Sequence, residues 1–203
     1  MPFNINAIGD SHVGTFYPYC NISTLGPATM YSLTGQKLYD YVNYLVNRKE
    51  IDNNSWWLFC VGEIDIRCLF FKQIFTLNRQ EDEVIYTLID DYINNMLSLD
   101  HKQIIISTTV PPAKTQGFED KLKNTINSKY PFIGSDEERN RWSFKLNTYL
   151  IDQCKNKNIK YVDIYNLFKD TEGFLDHQYI DMDYIHVSNR DPVVKELQKL
   201  NIN

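Results

Sequence analysis

Hydrophobic positions fall into short unbroken runs and longer periodic stretches that alternate along the chain. The run at 3–8 reads as a strand ending at Gly9, where glycine allows a sharp turn. Residues 17–29 follow no period and read as irregular. Leu38, Tyr41, Val42, Leu45 and Val46 then recur at helical spacing, with Thr34 as the expected N-cap. Residues 56–61 are apolar throughout, as in a strand covered on both faces, and Gly62 closes the run. A helix over about 81–97 has Val84, Leu88, Ile89, Ile93 and Met96 on its apolar side. It opens with acidic Glu81, Asp82 and Glu83, which the helix dipole favours. Residues 103–108 predict a third strand, closed by Val110-Pro111-Pro112. A polar insertion at about 113–134 follows. Ser135-Asp136-Glu137-Glu138 then carries a capping-box pattern and opens a helix with Trp142, Leu146, Tyr149, Leu150 and Cys154 on one face. Residues 160–164 are the last strand and 193–200 the closing helix.

Strands that alternate with helices predict a parallel sheet with helical crossovers. The expected fold is α/β, a three-layer α/β/α sandwich in one domain. In such sheets ligands bind beyond the carboxyl ends of the strands. Asp10, Ser11, Gly62, Glu63, Asp65 and Pro111 should therefore gather on one edge.

Composition narrows the function classes. The formal net charge of the 203 residues is -5 with no basic cluster, which argues against a nucleic-acid partner. No apolar run approaches the roughly 20 residues of a membrane span. The first residues lack the charged-then-apolar layout of a signal peptide, so a soluble, cytoplasmic protein is expected. Cys20, Cys60, Cys68 and Cys154 are scattered without a C-x-x-C pair, which predicts reduced thiols and no metal site. No glycine loop cradles a phosphate, so no bound cofactor is expected.

A serine hydroxyl needs a base to take its proton, and the base needs a third group to orient it. Ser11 sits just past a strand end. His186 is the candidate base, and Asp183, three residues earlier, can reach its other ring nitrogen. The elbow G-x-S-x-G is absent, which excludes a standard α/β-hydrolase. His12 is a competing base, but neighbours on an extended segment face opposite ways, so it is expected to line the cleft or support the turn. His101 and His177 read as surface or loop residues.

Ile8-Gly9-Asp10-Ser11-His12, Gly26, Val61-Gly62-Glu63-Ile64-Asp65 and Asp183-Tyr184-Ile185-His186 resemble the ordered blocks of the SGNH (GDSL-type) hydrolase superfamily. Pro111-Pro112 and Tyr161-Val162-Asp163 also sit where that family has similar features. The resemblance implies a flavodoxin-like fold, Ser11 as nucleophile, His186 as base and Asp183 as its orienting partner. It also implies an oxyanion held by the N–H groups of Ser11 and Gly26. One departure stands out. The family's third block is Gly-x-Asn-Asp, and Ile64 stands where its Asn donates to the oxyanion. Losing one such donor costs about 2.7–4 kcal/mol. Arg67 is the candidate substitute, and pairing with Glu63 or Asp65 is its structural alternative.

The Gly-Glu-Ile-Asp-x-Arg block is similar to a divergent branch associated with surface-glycan gene sets. That implies a sugar substrate and an acetyl group as cargo. The expectation is an acyl-transfer enzyme: an acetyl esterase, or a sugar acetyltransferase with acetyl-CoA as candidate donor. The alternative is a non-catalytic glycan-binding module on the same scaffold. Asp10, His12, Glu63, Asp65 and Arg141 are the expected substrate-binding residues. Phe118, Tyr130 and Phe132 in the insertion suit a sugar ring or a core cover. Arg139 and Arg141, at the start of a helix, suit an anionic ligand.

Overall fold

Five parallel strands form one sheet in the computed structural model, which describes residues 3–33, 35–117 and 130–202. Thr34 and Phe118 lie outside the described residues. The strands are β1 (Ile5–Gly9), β2 (Asn21–Thr24), β3 (Trp56–Cys60), β4 (Ile104–Ser107) and β5 (Lys160–Val162). Their order, β2-β1-β3-β4-β5, is that of a flavodoxin-like doubly wound sheet. Ile8 stands beside Ser23 and Phe59, and Phe59 beside Ile106, so the central strands share one register.

Alternate residues of each strand feed two cores. Ile8, Trp57, Phe59, Ile104 and Ile106 face α1 (Gln36–Asn47), α2 (Glu81–Leu97) and α3 (Asp136–Asn156). Ile5, Ala7, Leu58, Cys60 and Ile105 face the other way. There they meet a 3-10 helix (Ser11–Phe16), α4 (Ile164–Phe168) and α5 (Asp191–Lys199). The three layers are as expected. The four cysteines are free and buried. Among the described residues no helix is long and apolar enough to cross a membrane.

Several elements differ from the sequence reading. The stretch read as irregular contains β2, an edge strand whose alternation is polar except at Ile22. Residues 63–80, given no element above, hold two π-helical turns, Asp65–Leu69 and Lys72–Thr76. Wide turns of this kind break the 3.6-residue period by which helices are recognised. The last strand ends early because the Asp163 side chain accepts from Asn166 N–H at 3.0 Å and starts α4. Gly9 is needed for close approach rather than for a turn. A Cβ there would lie 1.9 Å from the Cys60 carbonyl oxygen on the neighbouring strand.

Candidate active site

The carboxyl edge of β1 hands the chain directly to the 3-10 helix. Asp10 caps that helix, and its Oδ1 accepts from His12 N–H at 2.8 Å. Ser11 is thereby the first helical residue. The first N–H groups of a helix have no acceptor within it, so this turn also presents a free donor beside the hydroxyl.

The partner arrives from the other end of the chain. The 176–190 loop is pinned by a bridge between Ile180 and Val187 and by Asp181 N–H on the His186 carbonyl at 2.8 Å. Buried Ile185 and Val187 anchor it. Within it, Asp183 Oδ1 accepts from the N–H groups of Ile185 and His186, each at 3.0 Å. Asp183 Oδ2 takes the Nδ1–H of His186. That bond fixes the tautomer, so His186 Nε2 is an acceptor and Ser11 O–H donates to it at 2.8 Å. Burial works to raise the Asp183 carboxyl, but the hydrogen bonds from His186 and Ile185 outweigh it and hold it below its ordinary value. The residues singled out at opposite ends of the sequence thus form one hydrogen-bonded series.

Ser11 and His186 open onto a cleft of about 280 Å³ lined also by Gly14, Thr15, Asp181, Val187 and Arg190. The sequence reading missed Thr15 and Arg190. Each follows a singled-out residue by four positions, Thr15 after Ser11 and Arg190 after His186.

Gly26 lies in the loop after β2. Leu25 N–H bonds to Gly9 O at 2.7 Å and Ala28 N–H to Gly26 O at 2.8 Å. Among the described residues the Gly26 N–H between them has no acceptor. Asp65 anchors the same loop, its Oδ2 accepting from Met30 N–H at 2.8 Å. Burial pushes the Asp65 carboxyl up to about 7.

No family model matches the sequence, and no curated protein matches it. Solved structures do. A GDSL-like lipase from Bacteroides thetaiotaomicron superposes with a TM-score of 0.56 at 14% identity, over 97% of this chain and 86% of that one. A catalytic mutant of an acetylxylan esterase from Geobacillus stearothermophilus gives 0.52 at 14% identity, over 100% and 97%. Another acetyl xylan esterase gives 0.51 at 13% identity, over 98% and 100%. The chain has the SGNH hydrolase fold.

Within that SGNH frame, the remaining expected residues separate into two groups. Asp10, His12, Glu63 and Asp65 were expected to bind substrate, but the structure buries all four beneath the cleft instead of along it. Each finds a protein partner there. His12 does not sit on the extended segment expected for it. It is inside the 3-10 helix, with Nδ1 3.2 Å from Asp10 Oδ1 and its ring 4.7 Å from that of His186. Arg67 pairs with Glu63 at 3.2 Å, and its guanidinium lies 5.3 Å from the centre of the Phe132 ring. Phe132 therefore covers a buried ion pair.

Arg141 does not line the cleft beside Ser11 either. It lies in a different cleft, with Glu137, Asn140, Phe144 and Lys169, and donates to Glu81 at 2.8 Å. Burial tends to raise Glu81, but bonds from Arg141, Lys145 and Trp142 pull it down to about 2. The start of α3 holds no free positive charge for an anion. Ser135 and Glu138 cap it reciprocally, and Arg139 is paired with Asp136. His101 stacks on Trp57 with ring centres 3.7 Å apart. Among the described residues no group of three or more His, Cys, Asp or Glu side chains is placed to hold a metal ion.

Proposed function

We propose that this chain is a serine-dependent acyl-transfer enzyme of the SGNH type, an esterase whose substrate is an acetylated carbohydrate. The observation that carries this reading is the Ser11 Oγ to His186 Nε2 bond of 2.8 Å, with Asp183 on the far ring nitrogen. A binding module has no use for a hydroxyl, an imidazole and a carboxylate in that order, so the non-catalytic alternative loses its support. In the proposed reaction Ser11 Oγ attacks the ester carbonyl carbon and His186 Nε2 takes the hydroxyl proton. Asp183 stabilises the resulting imidazolium. The carbonyl oxygen becomes an oxyanion held by the N–H groups of Ser11 and Gly26. Collapse expels the alcohol, which takes the proton back from His186, and leaves acetyl-Ser11. Water, activated by the same imidazole, releases acetate and restores the serine.

The carbohydrate assignment rests on the resemblance of the Gly62–Arg67 block to a glycan-associated branch. The likeness to acetylxylan esterases is consistent with it. The same acetyl-serine could pass its group to a sugar hydroxyl, with acetyl-CoA as donor, so the test must separate the two. Purified protein is offered p-nitrophenyl acetate, acetylated oligosaccharides, and acetyl-CoA with free sugars. Release of acetate from the first two, lost in Ser11→Ala, is the expected result. Acetylated sugar from acetyl-CoA would convert the reading to a transferase. Inertness toward all three would overturn it.

A further inference from the structure

The wall of the cleft beside Ser11 and His186 carries two charged side chains that the proposed reaction leaves unused, Asp181 and Arg190. Arg190 is half-buried, and its Nε donates to the Val187 carbonyl at 3.2 Å. Val187 directly follows His186, so this bond ties the guanidinium to the segment that carries the base. The two terminal amino groups of Arg190 have no partner among the described residues. Asp181 shares the wall but forms no ion pair with Arg190, and its Oδ1 accepts from Met182 N–H at 2.7 Å.

Nothing local accounts for a cation at this position. Each of the chain's five other arginines pairs with a carboxylate, the exposed Arg48 included. Arg190 is instead the N-cap residue of α5 and makes no side-chain cap there. The positive end of the helix dipole works against a cation at that place. A guanidinium held at Nε, with both terminal amino groups free, presents a fixed fork that matches a carboxylate.

The position of Arg190 also says which half of an ester it would meet. His186 Nε2 must return its proton to the leaving alcohol, so the wall shared by His186, Val187 and Arg190 flanks the alcohol. Gly26, on the oxyanion side of the proposed reaction, does not line this cleft. Asp181 sets a limit on charge, because it repels a dianion more strongly than a monoanion.

We propose that Arg190 is a specificity-determining residue that selects esters whose alcohol half carries a carboxylate. The inference rests on the esterase reading and narrows its substrate class.

Three substrates on one scaffold test it: 3-acetoxybenzoate, its methyl ester and 3-acetoxyphenyl phosphate. The readout is the ratio of kcat/KM for the acid to kcat/KM for the methyl ester, in which intrinsic reactivity cancels between variants. Arg190→Gln should lower this ratio by about fivefold, and Arg190→Lys, which keeps the charge, should lower it less. An unmoved ratio overturns the proposal. Equal losses on both esters leave the ratio unmoved, and they are what a merely structural tie to Val187 would give. A larger drop in Arg190→Gln for the phosphate than for the benzoate overturns the choice of a carboxylate. If Arg190→Gln does not fold, the wild type decides: its ratio should fall as salt is raised from about 0.05 to about 0.5 M, and a constant ratio overturns the proposal. Failure of the esterase reading shows differently, as wild-type protein inert toward all three esters. NMR then still tests Arg190: 3-hydroxybenzoate should shift its Nε–H signal and methyl 3-hydroxybenzoate should not. An Nε–H signal that does not respond to the carboxylate overturns the proposal.

Discussion

In the proposed reaction Ser11 Oγ becomes a nucleophile only when His186 takes its proton, and His186 keeps the needed tautomer through its bond to Asp183. Ser11→Ala and His186→Ala should each lower kcat by about 10³-fold or more, with unchanged far-UV circular dichroism. A fully active Ser11→Ala would sink the triad. These residues were legible because two short motifs carry their chemistry with them, one just past the end of β1 and the other in the 176–190 loop. For Arg67 the sequence left two readings, oxyanion donor or partner of Glu63 or Asp65, because the choice depends on a helical turn whose period the sequence does not show. Arg67→Lys should cost about 1–3 kcal/mol of stability and leave turnover nearly intact. A rate defect at unchanged stability would instead place Arg67 on the oxyanion. Asp65 gives a pH signature. Its folded value of about 7 lies above its ordinary 3.8, so its proton is bound more tightly in the folded state. Its contribution to stability is complete below about pH 4 and declines by about 1.4 kcal/mol per pH unit as pH rises toward 7. Asp65→Asn should remove that decline. In thermal melts at a series of pH values, the variant should gain on the wild type from pH ~4 to pH ~7, and a constant gap would refute the assignment.

At the scale of elements, the long periodic helices were readable and the short or irregular ones were not. α2 and α3 bury stripes at helical spacing, and α3 carries its own start signal in Ser135 and Glu138. β2 escaped because an edge strand of four residues buries little and so carries no apolar run. The first π-helical turn escaped because its buried apolar side chains, Ile64, Ile66, Cys68 and Phe70, fall at every second position, as in a strand, although Asp65 between them is buried as well. That turn holds Arg67, whose partner Glu63 lies just before it, so the departure from regular spacing coincides with the departure from the common SGNH blocks. Two substitutions probe the readable logic. Ser135→Ala should lower stability by about 1 kcal/mol, read from urea unfolding, without changing turnover. Gly9→Ala puts a methyl group against the Cys60 carbonyl. Its cost should lie at the upper end of the ~0.5–3 kcal/mol typical of point substitutions, and a neutral effect would mean that β1 and β3 can separate.

Across the whole molecule, the site joins the first strand to the penultimate loop, some 175 positions apart in the chain. Neither half can be placed until the sheet has formed. The 3-10 helix after Ser11 contributes Val13 and Phe16 to the core on one sheet face, and Val187, beside His186, enters the same core with Val193 and Leu197 of α5. Ser11 and His186 are therefore held by one packing unit, distinct from the larger core under α1, α2 and α3. Leu197→Ala removes a fully buried side chain from that smaller core. It should cost about 2–5 kcal/mol, and esterase activity and circular dichroism should be lost at the same, lowered urea concentration. Ile89→Ala, in the larger core, tests whether the two faces unfold together. If the molecule is one cooperative unit, it too should shift both midpoints in step. Activity lost well before the helical signal in Leu197→Ala, but not in Ile89→Ala, would show that the layer holding the site opens on its own.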